Sequence, residues 1–160
     1  SLTNARATAL GTSTIGGNMS GGLGFGLGAA LGAKLAAPNR EVIAVVGDGS
    51  YMFGNPLPYH FVGRAEKLPT LTVIANNHGW HAVRNATLSV YPDGDAAKTN
   101  VMPLTSLDPS PAFEKMIDVC GGVGECVERP EDLPAALRRG MDAVRAGTPA
   151  LINVHTRGRH

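Results

Sequence analysis

Cysteine is scarce in this chain, since only two of its 160 residues, Cys120 and Cys126, are of this type. Five residues separate them, and this gap matches neither a zinc-binding spacing nor a thioredoxin-like redox spacing. The sequence therefore offers no cysteine chemistry to build a site on. We expect both side chains to serve as small apolar groups buried in the core.

Net charge is also nearly absent, because lysine and arginine total 14 and aspartate and glutamate total 13. A balanced chain gives no electrostatic reason to bind nucleic acid or an acidic membrane surface. Residues 19–33 are apolar, but this stretch is too short and too glycine-rich to span a bilayer. No signal peptide opens the sequence, so we expect a cytoplasmic protein, and the length suits one domain.

Glycine, in contrast, is abundant, with 21 residues whose excess lies in 11–32 and 121–124. Residues 20–37 are predicted to form a helix despite a cost of about 1 kcal/mol for each glycine, so we expect close packing against a neighbour. Gly24 to Ala29 also fit the dinucleotide fingerprint GxGxxA, which requires a strand directly before it. Residues 12–20 do not form a buried strand pattern, and this disfavours a nicotinamide or flavin site.

Two apolar runs end in polar residues, and these ends carry the functional prediction. Residues 41–46 predict a buried strand followed by Gly47-Asp48-Gly49-Ser50, and residues 71–75 predict a second strand followed by Asn76-Asn77. If the strands are parallel neighbours, Asp48 and Asn77 lie at the same edge of the sheet, where open α/β sheets bind ligands. A carboxylate and an amide oxygen suit magnesium bound to a diphosphate. The alternative is a tight turn with an ordinary asparagine pair.

The rest of the chain alternates between helix and strand patterns. Beyond those above, helices are predicted at 56–67, 110–120 and 130–146, and strands at 124–128 and 149–155. Ser110 is a candidate N-cap, and residues 82–105 are predicted as a loop with a short helix at its start. This order predicts an α/β fold with a parallel sheet between two helical layers.

The GDGS motif, the Asn76-Asn77 pair and the glycine-rich segment 21–33 together resemble thiamine-diphosphate (ThDP) enzymes of the acetolactate synthase and benzoylformate decarboxylase group. The resemblance implies a ThDP-binding fold over residues 19–156, with 1–18 left from a preceding domain and 157–160 as a tail. It also implies ThDP- and Mg²⁺-dependent decarboxylation or carboligation of a small 2-oxo acid.

The resemblance assigns a role to each residue of the motifs. Asp48, the Asn77 side chain and the Gly79 carbonyl are implied magnesium ligands, and the segment Gly47–Ser50 is implied to contact the diphosphate. Leu23 is implied to wedge the cofactor into a bent shape, and the Gly21 carbonyl to hold its aminopyrimidine together with the Leu23 N–H. Without the resemblance, Leu23 is an ordinary core residue.

Directly after Asn77 the chain carries three further polar or aromatic candidates, His78, Trp80 and His81. They are candidates for the substrate side of the site, where they would position a carboxylate or carry protons. The alternative for these three is a surface turn. His60 and His155 are predicted to be structural.

No catalytic residue is assigned within this chain. In the resembled family a glutamate from a pyrimidine-binding domain, in the same or a partner chain, activates the cofactor. Six glutamates fall in helix or strand contexts away from the motif, namely Glu41, Glu66, Glu114, Glu125, Glu128 and Glu131. We therefore expect the isolated chain to be inactive and its parent enzyme to be a homo-oligomer. Two alternatives stay open: a natural small subunit of a split ThDP decarboxylase, and a non-enzymatic phosphate- or nucleotide-binding module of flavodoxin-like shape.

Overall fold

The computed structural model describes Ile15 and residues 22–156, so the expectations for Gly21, for the segment before it and for the tail 157–160 lie outside the described residues. The elements follow in the order α1 (Phe25–Ala36), β1 (Ile43–Gly47), α2 (Asp48–Phe53), α3 (Pro56–Ala65), β2 (Leu71–Asn76), α4 (His81–Val90), α5 (Asp95–Thr99), a 3₁₀ helix (Phe113–Cys120), β3 (Val123–Val127), a 3₁₀ turn (Pro130–Asp132), α6 (Leu133–Arg145) and β4 (Ala150–His155). Within this part of the chain, no helix has the length and apolar character needed to cross a bilayer.

The four strands form one parallel sheet in the order β1-β2-β4-β3. Gly47 at the end of β1 pairs with Ala75 of β2, and Asn76 pairs with His155 of β4. The GDGS turn, the asparagine pair and the end of β4 therefore meet at one edge of the sheet. This arrangement confirms the predicted parallel sheet and brings the two polar strand ends together.

Helices cover both faces of this sheet, as the sequence predicted. On one face Leu27 of α1, Ile74 of β2 and Leu151 of β4 share a buried cluster with aromatic side chains of α2, α3 and the 3₁₀ helix. On the other face Ala136 of α6 packs against Ile152 of β4.

In the central strands β2 and β4, successive residues enter opposite cores, which explains why these two strands are mostly apolar. In β1 the alternate residues Ile43 and Val45 are 50% and 46% exposed, so the described part of the chain buries this predicted strand on one face only. Burial of each large side chain contributes roughly 1.5–3 kcal/mol.

The predicted helix at 110–120 is wrong in type and in its start. The segment Phe113–Cys120 is a 3₁₀ helix, and the Ser110 hydroxyl does not cap it but accepts a hydrogen bond from Asn76 Nδ2 at 2.9 Å. Ala112, with ψ 75°, is outside the helical region, so the helix begins only after Pro109 and Pro111.

Residues 82–105 contain more helix than predicted. Both α4 and α5 lie in or beside this segment, and neither has a buried side chain. A helix without a buried face leaves no apolar repeat in the sequence, so periodicity could not reveal them. The short helix α2 is also absent from the elements that the sequence predicts.

The expectation that both cysteines are buried is wrong. Cys126 is exposed and Cys120 is half-buried, and both are free thiols. Cys126 lies on β3, an edge strand of the sheet, where alternate side chains are only partly covered.

A buried polar pair joins α2 to α3 below the GDGS turn. The Tyr51 hydroxyl lies 2.7 Å from His60 Nε2, and both side chains are at most 2% exposed. Burial lowers the pKa of His60 to about 4, and it raises the pKa of Tyr51. The imidazole is therefore neutral at pH 7 and shares one hydrogen bond with the Tyr51 hydroxyl, which agrees with the predicted structural role of His60.

This histidine predicts acid sensitivity of the fold. The pKa of His60 falls from 6.5 to about 4 on folding, so the unfolded chain takes up the proton first as the pH drops. The free energy of unfolding should therefore fall between pH 6.5 and 4 by about 3 kcal/mol from this group. Urea unfolding of the wild type and of His60→Gln at several pH values measures this difference. Parallel pH profiles for the two proteins would contradict the prediction.

Candidate functional site

Three oxygen-bearing groups converge where β1 and β2 end. Asp48 is 2% exposed, and its Oδ2 accepts a hydrogen bond from the Gly79 N–H at 2.9 Å. One terminal atom of the Asn77 amide lies 3.2 Å from Asp48 Oδ1 and 2.9 Å from the Gly79 carbonyl oxygen. If that atom is nitrogen, it donates to both oxygens. If it is oxygen, three acceptors face one another, and a cation or another hydrogen-bond donor between them would offset their repulsion.

This donor set has the chemistry of a hard-cation site. It combines one carboxylate, one amide and one backbone carbonyl, which are oxygen ligands that Mg²⁺ accepts while keeping positions for phosphate and water. Within residues 15 and 22–156, no three His, Cys, Asp or Glu side chains are grouped to hold a metal. The structure thus brings together Asp48, Asn77 and Gly79, the residues predicted to hold magnesium.

The two glycines of the GDGS turn differ in the space that the described residues leave around them, because Gly49 is covered and Gly47 is open. A Cβ atom on Gly49 would lie 2.8 Å from the Trp80 ring, so Trp80 packs directly on the turn, and its ring also meets the edge of Phe53. Among the described residues, nothing lies within 4 Å of a Cβ atom built on Gly47. The turn is therefore fixed on the Trp80 side and open above Gly47.

Ser50 connects the turn to the start of α1. Its Oγ accepts a hydrogen bond from the Gly24 N–H at 3.0 Å, so the hydroxyl can still donate its own proton. Leu23, directly before Gly24, is 42% exposed, and the alternative of an ordinary core residue is wrong. Leu23 is held beside the GDGS turn through its neighbour.

The three substrate-side candidates separate into different roles. His78 Nδ1 lies 2.8 Å from Asp108 Oδ1, and its Nε2 lies 2.9 Å from His155 Nδ1, so both ring nitrogens have protein partners. The Trp80 ring packs against Gly49 and Phe53. His81 has no hydrogen bond or ion pair among the described residues, and it lines a cleft of about 470 Å³ beside Asn77. Of the three, His81 is the side chain free to meet a ligand.

Sequence reasoning missed Asp108, and it gave His155 no link to the site. Both bond His78, across 30 and 77 residues respectively. Asn76 was noted only as a member of the asparagine pair, yet it is fully buried and bonded to Ser110 and Asn153. In the sequence, the feature that points to this network is Asn76 itself, a second asparagine directly before the predicted metal ligand Asn77.

The fold and the site define an α/β ligand-binding domain whose site lies at the carboxyl edge of a parallel sheet. A family model described as thiamine pyrophosphate enzyme, C-terminal TPP binding domain, matches residues 3–154. The chain belongs to this family, which confirms the resemblance and the ThDP-binding fold.

Relatives in the family are enzymes. The chain is 33% identical over 123 residues to a 2-hydroxyacyl-CoA lyase of Oryza sativa subsp. japonica, covering 74% of this chain and 19% of that protein. It is 33% identical over 121 residues to a probable acetolactate synthase of Mycobacterium bovis, covering 76% of this chain and 20% of the relative. The chain thus spans about a fifth of the length of these relatives.

Solved structures agree with this assignment. A ThDP-dependent 4-hydroxybenzoylformate decarboxylase of Rhodococcus jostii matches with a TM-score of 0.71 and 34% identity, covering 87% of this chain and 24% of that chain. A benzoylformate decarboxylase of Polynucleobacter necessarius matches with a TM-score of 0.66 and 22% identity over 86% of this chain and 24% of its own, and this likeness concerns the fold alone.

Proposed function

We propose that this chain is the diphosphate-binding part of a ThDP- and Mg²⁺-dependent enzyme that decarboxylates or ligates a small 2-oxo acid. The observation that carries the proposal is the convergence of Asp48, Asn77 and Gly79: the Asn77 amide lies within hydrogen-bond distance of both Asp48 and the Gly79 carbonyl, and Asp48 accepts from the Gly79 N–H. Bound ThDP would supply the carbon nucleophile and electron sink for 2-oxo acid chemistry. The chain's own residues hold, orient and enclose that cofactor.

In this proposal Asp48, Asn77 and Gly79 bind the metal, and diphosphate oxygens and water fill its other positions. Gly47 leaves space for a phosphate to approach the backbone. Gly49 and the Ser50 hydroxyl, at the first turn of α2, would donate hydrogen bonds to it. Gly49 also admits Trp80, which holds the turn against residues 77–79, the segment that we call the metal loop.

The aminopyrimidine end of the cofactor is proposed to meet Leu23 and the Gly21 carbonyl. Support comes from the exposure of Leu23, an apolar side chain that the described part of the chain leaves 42% accessible. The hydrogen bond from Gly24 to Ser50 fixes its position relative to the diphosphate side. The activating glutamate is proposed to come from a pyrimidine-binding domain, so the isolated chain would bind cofactor without turnover.

The proposal includes two assembly steps. This chain packs against the pyrimidine-binding domain, and the parent enzyme is a homo-oligomer. Large apolar side chains are half or more exposed on α1, β1 and α3, with Phe25 at 50%, Ile43 at 50% and Phe61 at 64%. Apolar surface of this kind is typical of interfaces. The free thiols of Cys120 and Cys126 accord with a reducing, cytoplasmic compartment.

Calorimetric titration of the 160-residue chain with ThDP, with and without Mg²⁺, tests the proposal. We expect binding that requires Mg²⁺ and is displaced by inorganic diphosphate, because the metal would join the phosphate to the oxygen cluster. Binding of equal strength without Mg²⁺ would contradict the proposal and favour the flavodoxin-like phosphate module. The intact mass of the native protein separates a split subunit from a part of a longer chain.

A further inference from the structure

A chain of three hydrogen bonds, buried at its centre and partly buried at its two ends, runs from the 3₁₀ helix to the metal loop. Glu114 Oε2 accepts from Asn153 Nδ2 at 2.9 Å, and Asn153 Oδ1 accepts from Asn76 Nδ2 at 3.1 Å. Asn76 Oδ1 then accepts from the backbone N–H of His78 at 3.1 Å. Both asparagine side chains are 0% exposed. We call Glu114, Asn153 and Asn76 the amide ladder.

The carboxylate gives this ladder a direction. An ionised glutamate only accepts hydrogen bonds, so Asn153 must turn its NH₂ group toward Glu114 and its oxygen toward Asn76. Asn76 must then present its NH₂ group to Asn153, where the Ser110 hydroxyl also accepts from it at 2.9 Å. Its remaining oxygen faces the His78 N–H. Reversal of one amide would oppose like groups at both contacts of that amide, at a cost that burial increases.

The last hydrogen bond of the amide ladder, from the His78 N–H to Asn76 Oδ1, stabilises an unfavourable backbone conformation. His78 has φ 62°, in the left-handed region that residues other than glycine rarely adopt. Its N–H is held by Asn76, and its carbonyl accepts from the Leu107 N–H at 2.9 Å. This conformation directs the following Gly79 N–H to Asp48 Oδ2, and it places the Gly79 carbonyl in the oxygen cluster.

Glu114 itself is held by close backbone packing. A Cβ atom on Gly124 of β3 would lie 1.8 Å from the Glu114 carbonyl oxygen, so only glycine lets the 3₁₀ helix approach the strand this closely. The carboxylate is thereby fixed at the start of the ladder.

We propose that Glu114 is a positioning residue for the metal cluster, because it sets the orientation of both buried amides and through them the path of the His78–Gly79 backbone. This inference rests on the proposed function, since it assigns the Gly79 carbonyl to a metal. It predicts that the polarity of residue 114, rather than its bulk, controls the metal loop.

A graded series at residue 114 tests this inference in the full chain. Glu114→Lys places a donor where the carboxylate was, so both amides must reverse and Asn76 would turn its NH₂ group toward the His78 N–H. We expect amide exchange at His78 and Gly79 to become at least about tenfold faster. We expect the affinity for Mg²⁺, measured with ThDP present, to fall about 10- to 100-fold. Glu114→Gln retains an acceptor and should lose less in both measurements.

Glu128→Lys is the matched control, because Glu128 is exposed and the change alters net charge equally without touching the ladder. A second change, His78→Gly, supplies a residue that adopts the left-handed conformation unaided. Added to Glu114→Lys, it should restore a large part of the Mg²⁺ affinity. A merely structural role for Glu114 would not give this rescue.

Each outcome decides between the inference and the function on which it rests. Unchanged exchange at His78 and Gly79 in Glu114→Lys would overturn the ladder, as would an equal effect of Glu128→Lys. Should Glu114→Lys not fold, the smaller change Glu114→Gln decides by the same exchange measurement. If the wild type shows no Mg²⁺-dependent ThDP binding while exchange responds as expected, the proposed function fails and the ladder stands.

Discussion

Asp48→Asn is expected to abolish Mg²⁺-dependent ThDP binding while the chain stays folded. The change preserves the size of the side chain but removes the negative charge that a hard cation requires. Loss of groups that merely orient metal ligands costs about 10- to 100-fold in affinity, so loss of the carboxylate itself should exceed this. Calorimetric titration with ThDP and Mg²⁺ measures the effect, and circular dichroism checks the fold.

Asparagine is a sharper choice than alanine at this position. Asp48 is buried and accepts the Gly79 N–H, so alanine would leave that donor without a partner and disturb the metal loop as well. Asparagine keeps an acceptor oxygen for Gly79 and isolates the loss of charge. Asp93→Asn, at an exposed site between α4 and α5, removes the same charge as a control. Equal ThDP affinity in Asp48→Asn and wild type would remove the central claim.

Gly24→Ala is expected to destabilise the fold by about 3 kcal/mol. Gly24 has φ 82°, and a Cβ atom there would lie 2.6 Å from the Gly54 Cα and 3.0 Å from the Gly54 nitrogen. These are backbone atoms that cannot rotate away, so the start of α1 must separate from the end of α2. The separation would also stretch the hydrogen bond from Gly24 to Ser50. Urea unfolding at pH 7 measures the loss.

Gly28→Ala is the matched control four residues further along α1. Among the described residues, nothing lies within 4 Å of a Cβ atom at Gly28, or at Gly32, so a methyl group meets open space. Alanine should therefore stabilise the helix by about 0.5–1 kcal/mol. The expectation of close packing against a neighbour is met within the described chain at Gly26, whose added Cβ would lie 2.8 Å from Val46, and is not met there at Gly28 or Gly32. Effects of equal sign and size at positions 24 and 28 would refute the packing argument.

The position of the site could be predicted because its determinants are local in sequence. Two apolar runs that end in polar residues predict strands whose ends, Asp48 and Asn77, meet at one edge if the strands are parallel neighbours. In the structure the strands are parallel neighbours, and Gly47 pairs with Ala75. The strands could be predicted because their consecutive apolar residues form a pattern that is visible within a short stretch of sequence.

The surroundings of the site could not be predicted, because they depend on contacts between residues that are distant in sequence. Asn76 meets Asn153, and His78 meets His155, each across 77 residues. The sequence places Glu114 in a helix context away from the motifs and gives it no link to the site. Its contact with Asn153 exists because β4 lies between β2 and β3, and no local propensity encodes that order.

Helix α4 begins two residues after Gly79 and has no buried side chain among the described residues. Its ten residues are fewer than the 12–15 that an isolated helix needs for marginal stability in water. Its folded population is therefore set mainly at its first turn, where the Arg84 N–H bonds the Trp80 carbonyl. The helix acts as a local folding unit coupled to the metal loop. A ligand that immobilises the loop must also provide the ordering free energy of α4, so cofactor affinity and α4 helicity should rise together.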